Sequence, residues 1–441
     1  MSLPKYPAYK DSGVEWLGEV PEHWDSSKLK FEVALKTGFA FSSERYTDKG
    51  IPLLRIGDIN FNGEVDLTNC KFWESEHSSQ LSNLMVHKGD FVMAMTGATI
   101  GKIGLYNYDS PALLNQRVCS FETSHEHSKG FVWYFLHCDA YQKYIDLTAF
   151  GGAQPNISEK DLLDFPIANP PIQEQTLIAQ FLDCETAKID DLITDQEKLI
   201  TLLDEKRQAM ISHAVTKGLN PDAPMKDSGV EWLGDVPESW DVKRLKFIFE
   251  IKKRISGEEG FNVLSITQKG IKVKDIESND GQLSMDYSKY QFVYVGDFAM
   301  NHMDLLTGYV DIADTFGVTS PDYRVFSIKE ADKSNSKFFL YLLQNGYKGK
   351  IFYAFGQGSS QLGRWRLPTD AFNNFVFPVP SYQEQTLIAQ FLDRETVKMD
   401  TLKAEALRGI DLLKERRSAL ISAAVTGKID VRHAMTEQVA T

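Results

Sequence analysis

No run of about 18 apolar residues occurs in the 441-residue chain, so no helix that crosses a membrane is expected. The N-terminal MSLPKYPAYKDSG has no apolar core of the kind that directs export, and the expectation is a cytoplasmic protein. Cysteines are few: Cys70, Cys119, Cys138 and Cys184 lie far apart with no C-x-x-C pair, which reads as reduced thiols without a structural role. A Walker A motif is missing, as is a glycine-rich strand-to-helix turn upstream of any candidate active site. The nine histidines are scattered, and no His, Cys, Asp and Glu set has metal-ligand spacing. An excess of basic charge is missing too. The 48 Lys and Arg are outnumbered by 61 Asp and Glu, a net of −13, the opposite of a generic nucleic-acid binder. What remains, 42% hydrophobic and 25% charged residues, describes a globular protein long enough for two to four domains.

Three fragments of catalytic motifs fail on inspection. Asn169-Pro170-Pro171-Ile172 resembles the Asn/Asp-Pro-Pro-aromatic motif of adenine methyltransferases, but Ile172 cannot stack on a flipped base. The matching place later in the chain reads Val379-Pro380-Ser381-Tyr382, so a pair of prolines opening a helix is the better reading. Pro221-Asp222 followed by Asp241-Val242-Lys243 fits a loose nuclease pattern that requires Mg²⁺, but its counterpart is Asp25-Ser26-Ser27. Gly97, Gly101 and Gly104 could cradle a phosphate; a plain β-turn is the simpler reading. The expectation is a chain with no catalytic residue and no metal or cofactor of its own.

What the chain has is repetition. Lys10–Phe31 and Lys226–Phe247 match at 17 of 22 positions, and QEQTLIAQFLD stands unchanged at Gln173–Asp183 and Gln383–Asp393. Trp24 precedes Gln173 by 149 residues and Trp240 precedes Gln383 by 143, while the segments between share little identity. Duplication followed by divergence of the middles gives this pattern: a constant frame carrying two different readers. From Glu174 to about Val215 there is no Gly or Pro, and Pro170, Pro171, Pro378 and Pro380 mark helix starts as Gly218 and Gly427 mark ends. A heptad places Leu182, Ile189, Gln196, Leu203 and Met210 at one position and Leu192 and Leu199 at its partner. The second copy gives Leu392, Met399, Ala406, Leu413 and Leu420, with Leu402 and Gly409. Helices of roughly 60 Å with so narrow an apolar stripe need a partner, and a pseudo-twofold repeat would lay the two antiparallel. Ile178, Phe181, Leu182, Ile189 and Leu203, with Ile388, Phe391, Leu392, Met399 and Leu413, are expected to pack in that helical frame or against a partner.

The variable segments read as mixed α+β domains. GIPLLRIGDINFNGEVDL, HKGDFVMAMTGATIGKIGLYN and LLNQRVCSFET are strand-like, and KGFVWYFLHCDAYQKYIDLT is helical; YQFVYVGDFAMN, YRVFSIK and SKFFLYLLQNGYKGKIFYA follow suit. Residues 20–168 carry 13 basic and 19 acidic residues, and 236–380 carry 18 and 17, so any DNA contact must rest on local clusters. The candidates are Lys252, Lys253 and Arg254; Arg364, Trp365 and Arg366 beside Gln357 and Gln361; and Asn115, Gln116 and Arg117 with Lys102, Gln154 and Asn156. Arg, Gln and Asn are the side chains that grip guanine and adenine edges with two bonds.

This layout resembles the specificity (S) subunit of type I restriction–modification enzymes across nearly the whole chain. The entry block SGVEWLGEVPEHW, a variable domain, the block PPIQEQTLIAQFLD and then all of it again carry the resemblance. IPLLRIGDI (with Arg55, a further candidate contact), TGATIGKIGLY, LNQRV and GGAQPNIS are also similar to that family, and GQGSSQLGRWRL sits where GGAQPNIS does. The resemblance implies a non-catalytic, pseudo-twofold α+β protein with two target-recognition domains, each reading half of a split double-stranded DNA target. The two long helices would form an antiparallel coiled coil setting half-site spacing and docking two modification subunits. S-adenosylmethionine, ATP and Mg²⁺ would belong to those and to the restriction subunits. The expected boundaries are 1–19 (repeat block), 20–168 (recognition domain 1), 169–218 (helix), 219–235 (repeat block), 236–380 (recognition domain 2), 381–428 (helix) and 429–441 (tail). A duplicated protein–protein adaptor without DNA is the main alternative; a fused modification enzyme is the second.

Overall fold

The computed structural model describes residues 4–60, 63–74, 81–123, 129–150, 155–276, 286–358 and 365–434. Two compact units result: Met1–Gln196 with Arg408–Thr441, and Glu197–Leu407. Both long helices, Ile172–Lys217 of 46 residues and Tyr382–Val425 of 44, are therefore shared between units, each unit holding the start of one and the end of the other. Among the described residues no helix is long and apolar enough to cross a membrane.

The first unit is built on an antiparallel sheet in the order Val33–Thr37, Val118–Thr123, Phe91–Ala94, Ile103–Leu105. A second sheet, Lys71–Trp73, Ile51–Leu54, Ala112–Leu114, Met85–Val86, contains one parallel pairing, Ile51–Leu54 with Ala112–Leu114. Two helices cover the first sheet, Lys129–Leu136 and Asp139–Thr148. The sequence pattern predicts one helix here; Cys138 is extended (φ −71°, ψ 147°), which breaks the helix so that Phe135 and Tyr141 both enter the core. The second unit repeats the main sheet as Phe249–Lys252, Arg324–Ile328, Phe298–Met300, Val310–Ile312. Its helix, Ser336–Lys348, is capped by Asn335, whose side chain accepts from the N–H groups of Lys337 and Phe338.

The repeated blocks fasten each variable domain to its helix. In the first unit Ile178, Phe181 and Leu182 are buried in one core with Phe131 and Phe135. The Tyr134 hydroxyl donates to Asp183 (2.7 Å) and lies 3.2 Å from the Thr186 hydroxyl. In the second unit Tyr341 donates to Asp393 (2.9 Å), and the Gln385 side chain accepts the Asn335 N–H (2.8 Å). Glu174 is buried and accepts from Tyr6 (3.1 Å) and the Trp24 indole (3.0 Å), with the His23 Nε2 2.6 Å away. Gly218 and Gly427 end the helices in left-handed conformation, and a Cβ on Gly427 would lie 2.4 Å from Pro21.

Inside each unit the helices run antiparallel. Arg417 binds Asp190 with two bonds (2.9 and 3.3 Å) in the first; Lys403 binds Asp204 (2.6 Å) and Arg207 lies 3.6 Å from Asp400 in the second. The covered line of the first helix runs Leu182, Thr186, Ile189, Ile193, Gln196, Ile200, Leu203 and Arg207, each buried or half-buried. On the second it is Leu392, Thr396, Met399, Lys403, Ala406, Ile410, Leu413 and Arg417. The predicted line through Leu182, Ile189, Gln196 and Leu203 is covered, and only its partner line is corrected, by one residue: Leu192, Leu199 and Leu402 are 49%, 42% and 49% exposed, and Ile193, Ile200 and Lys403 take the partner position. With 3.6 residues per turn, one step turns a side chain about 100° off the seam. Leucine content alone suggested the wrong phase, because the true partner line accepts Arg207, Arg417 and Lys403, which reach carboxylates across it.

Candidate nucleic-acid interface

In the first unit the loop Asn115–Arg117 leaves the end of Ala112–Leu114 and enters the main sheet. The Asn115 N–H donates to Leu54 (3.0 Å), and the Gln116 N–H donates to Phe39 (2.9 Å). That approach requires Gly38, where a Cβ would lie 2.1 Å from the Asn115 carbonyl oxygen. Next to it, the Met95 N–H donates to Arg117 (2.9 Å) while its carbonyl accepts from Ile157 (3.2 Å). The Gly97 N–H donates to Pro155 (2.8 Å), and Asn156 exchanges two backbone bonds with Phe150 (2.8 and 3.0 Å). One edge of the sheet thus gathers Gln116, Arg117, the Thr96–Thr99 turn and Asn156. Gln116, Arg117 and Asn156 are exposed and Lys102 is half-buried. Phe39 and Phe150, which sequence reading passed over, are 56% and 62% exposed at the same edge.

Arg55 follows directly on Leu54, so it neighbours this edge, but its guanidinium is partly committed. It lies 3.6 Å from the buried Asp58 carboxylate, and the Arg55 N–H donates to the same side chain (2.8 Å). Burial raises the Asp58 carboxyl above its ordinary value while Arg55 opposes the rise. Gln154 lies outside the described residues.

The second unit builds the same edge from different side chains. Gln357 and Arg366 exchange two backbone bonds (2.8 and 3.0 Å), as Phe150 and Asn156 do. The Leu367 N–H donates to His302 and the Leu305 N–H to Trp365, both 2.9 Å, matching the Ile157–Met95 and Gly97–Pro155 bonds. Trp365 stacks on Tyr353 (centroids 5.3 Å apart) and its indole donates to the Tyr353 carbonyl (2.7 Å), so the residue beside Arg366 is locked. Gln357 and Arg366 are exposed. Gln361 and Arg364 lie outside the described residues.

The basic run Lys252–Arg254 separates into different roles. Arg254 is held by the buried carboxylate of Asp297 (2.5 Å) and lies 4.8 Å over the Tyr294 ring. Lys252 pairs with Glu250, whose carboxyl that bond holds below its usual range. Lys253 is exposed. Two basic residue types that sequence reading missed also stand behind this edge: the half-buried His302 and the buried Arg324. Burial, with the charges of Arg324 and Arg366 behind it, depresses His302 to about 3, so it is neutral at pH 7. Neither residue stands in a motif that the sequence singles out.

The packing residues expected in the helices lie as follows. Ile178, Phe181, Leu182 and Ile189 are buried, the first three in the core of their own recognition domain, which also takes in Ile421, Ala424 and Val425. Ile388 and Leu392 are buried in the core of the second domain with Phe391 packed against it; Met399 is buried, and Leu203 and Leu413 are half-buried on the seam. Among the described residues no group of three or more His, Cys, Asp or Glu could hold a metal ion.

Comparison with known proteins places this architecture. The family model described as the type I restriction modification DNA specificity domain matches residues 21–202 and again 237–406. The EcoBI specificity subunit of Escherichia coli is 22% identical over 95% of this chain and 89% of its own length. The MjaVIII specificity subunit of Methanocaldococcus jannaschii is 29% identical over 48% of this chain; the chain spans about half (49%) of that relative. Among solved structures, a chain from work on complex assembly and conformational transition of the type I R-M system superposes with a TM-score of 0.67 at 14% identity, covering 92% of this chain and 98% of that one. The HsdS subunit from Thermoanaerobacter tengcongensis gives 0.53 at 15% identity with the same coverage.

Proposed function

We propose a function on the premise that the chain belongs to the type I restriction modification DNA specificity family: it selects the DNA target of a type I restriction–modification complex. Each recognition domain reads one half of a bipartite duplex, and the long helices fix the spacing of the halves. The observation that carries this reading is the sheet edge built twice on one backbone plan, with Gln116, Arg117 and Asn156 in one domain and Gln357 and Arg366 in the other. A common frame holds the two readers alike, and different side chains let them read different bases.

The acidic balance fits a division of labour in which partner subunits supply most phosphate contacts and this chain discriminates bases. Two modification subunits would dock on the helices, bringing S-adenosylmethionine and adenine methylation. Restriction subunits would bring ATP- and Mg²⁺-dependent translocation and cleavage. Leu199, Leu202, Leu402 and Leu407 are exposed (42–56%) and are available for such docking. The chain itself contributes no catalytic group in this scheme. The test is binding of the assembled modification–specificity complex to random and target duplexes over a salt series. Salt-dependent binding with a target preference supports the reading; the absence of both favours the adaptor alternative.

A further inference from the structure

Arg324 is 4% exposed at the head of the strand Arg324–Ile328. Its Nη2 donates to the Leu367 carbonyl (3.1 Å) and the Thr369 hydroxyl (3.4 Å), and the guanidinium lies 4.6 Å from the Phe372 ring centroid. Among the described residues no carboxylate pairs with it, and its buried Nη1 has no acceptor. Burial lowers its proton affinity to about 10, so it stays charged at neutral pH. An ionised group placed in this way is costly unless it does something that an apolar residue cannot.

The first domain shows that the fold does not require it. Arg324 faces Met300 on the neighbouring strand; Cys119, fully buried, faces Met93 at the matching place. Likewise the carbonyl that accepts from Leu367 belongs to His302, while the one that accepts from Ile157 belongs to Met95. Where the first domain has Cys119 and Met95, the second has Arg324 and His302 behind the segment that carries Arg366. That segment is the one Arg324 grips: Leu367 directly follows Arg366, and Thr369 opens the short helix Thr369–Asn374.

We propose that Arg324 is the positioning residue of the second recognition domain, holding the Leu367–Thr369 segment from within the core so that Arg366 and Gln357 are presented to DNA in one geometry. This rests on the DNA-reading function proposed above. Arg324 touches no base; it acts through Arg366. Both bonds come from the one nitrogen Nη2, to residues two apart in the chain, while the planar guanidinium lies over the Phe372 ring, a placement that a lysine ammonium does not reproduce. Its uncompensated charge also raises the positive potential behind Arg366.

The experiment uses the full chain assembled with its modification subunits. Binding is measured to the methylated target once mapped, and to duplexes altered in either half. R324M is expected to reduce discrimination about 10- to 100-fold in the half that R366A also affects, and to leave the other half unchanged. In the R366A background, R324M should change discrimination less than about twofold, because both act through one contact. R324K should recover part of the loss, which a merely space-filling role would not produce; should R324M fail to assemble, R324K alone must show a partial loss confined to that half. Retained discrimination in R324M, loss in both halves, or a loss fully additive with R366A overturns the role of Arg324. A wild-type complex indifferent to both halves overturns the DNA-reading function itself, and the two failures are thereby distinguished.

Discussion

Glu174 and Glu384 occupy the same place in identical eleven-residue stretches, yet their surroundings differ. Glu174 is buried and takes three donors, Tyr6, His23 and Trp24. Beside Glu384, the Trp240 indole N–H has no acceptor among the described residues, and Ser239 stands where His23 does in the first copy. A charged acceptor satisfying several buried donors contributes about 2 kcal/mol. E174A is therefore expected to lower the Tm of the chain by about 4–8 °C, and E384A by less than about 2 °C, in a thermal melt. His302 gives a pH prediction. Its folded pKa of about 3 lies below the unfolded value of about 6.5, so the unfolded chain binds the extra proton between these limits. Stability from this group is complete above pH 6.5 and is lost as pH falls towards 3, at no more than about 1.4 kcal/mol per pH unit. H302M, the residue of the first domain, should flatten the melting profile between pH 7 and 5 relative to wild type; parallel profiles would contradict the assignment. At this scale the sequence was only partly legible. Arg254 and Arg366 look alike as basic residues in a loop, and only the buried carboxylate of Asp297 separates a structural arginine from an exposed one.

The elements themselves were plainer to read than their faces. Proline entries and glycine exits, with a stretch free of both in the first helix, defined both long helices to within a few residues. The heptad's partner line was read one residue off because leucine is also used outside the seam, at Leu192, Leu199, Leu202, Leu402 and Leu407. If that outer line docks a partner, L199K with L202K should weaken association with the modification subunits at least tenfold by calorimetry. The Tm of the chain alone should fall by no more than about 2 °C, since these side chains are already in water. The seam predicts the reverse: I189K should unfold the chain locally and lower the Tm sharply, because Ile189 is 3% exposed. The recognition-domain helix was predicted as one piece because amphipathic periodicity continues through His137 and Cys138; the extended backbone there is a tertiary choice that aims Phe135 and Tyr141 inward.

For the molecule as a whole, the repeat made the architecture legible before any coordinate. Blocks that stay identical are those that fasten a domain to a helix, through Tyr134 and Asp183 in one unit and Tyr341 and Asp393 in the other. Blocks that diverge carry the exposed edges. The target bases were not legible, since they depend on loop geometry and DNA shape. If the helices set half-site spacing, adding one heptad at Gln196 and one near Leu407 lengthens each by about 10 Å. The accepted spacer should then grow by about three base pairs at 3.4 Å each, read by methylation of a spacer library. The central claim, two readers on one chain, is tested most directly by mapping methylated adenines in random-sequence DNA exposed to the assembled complex. The account predicts a split motif of two specific halves around a non-specific spacer, with R117A together with Q116A relaxing one half and R366A together with Q357A relaxing the other. A single continuous motif, or pairs of substitutions that relax the same half, would contradict it.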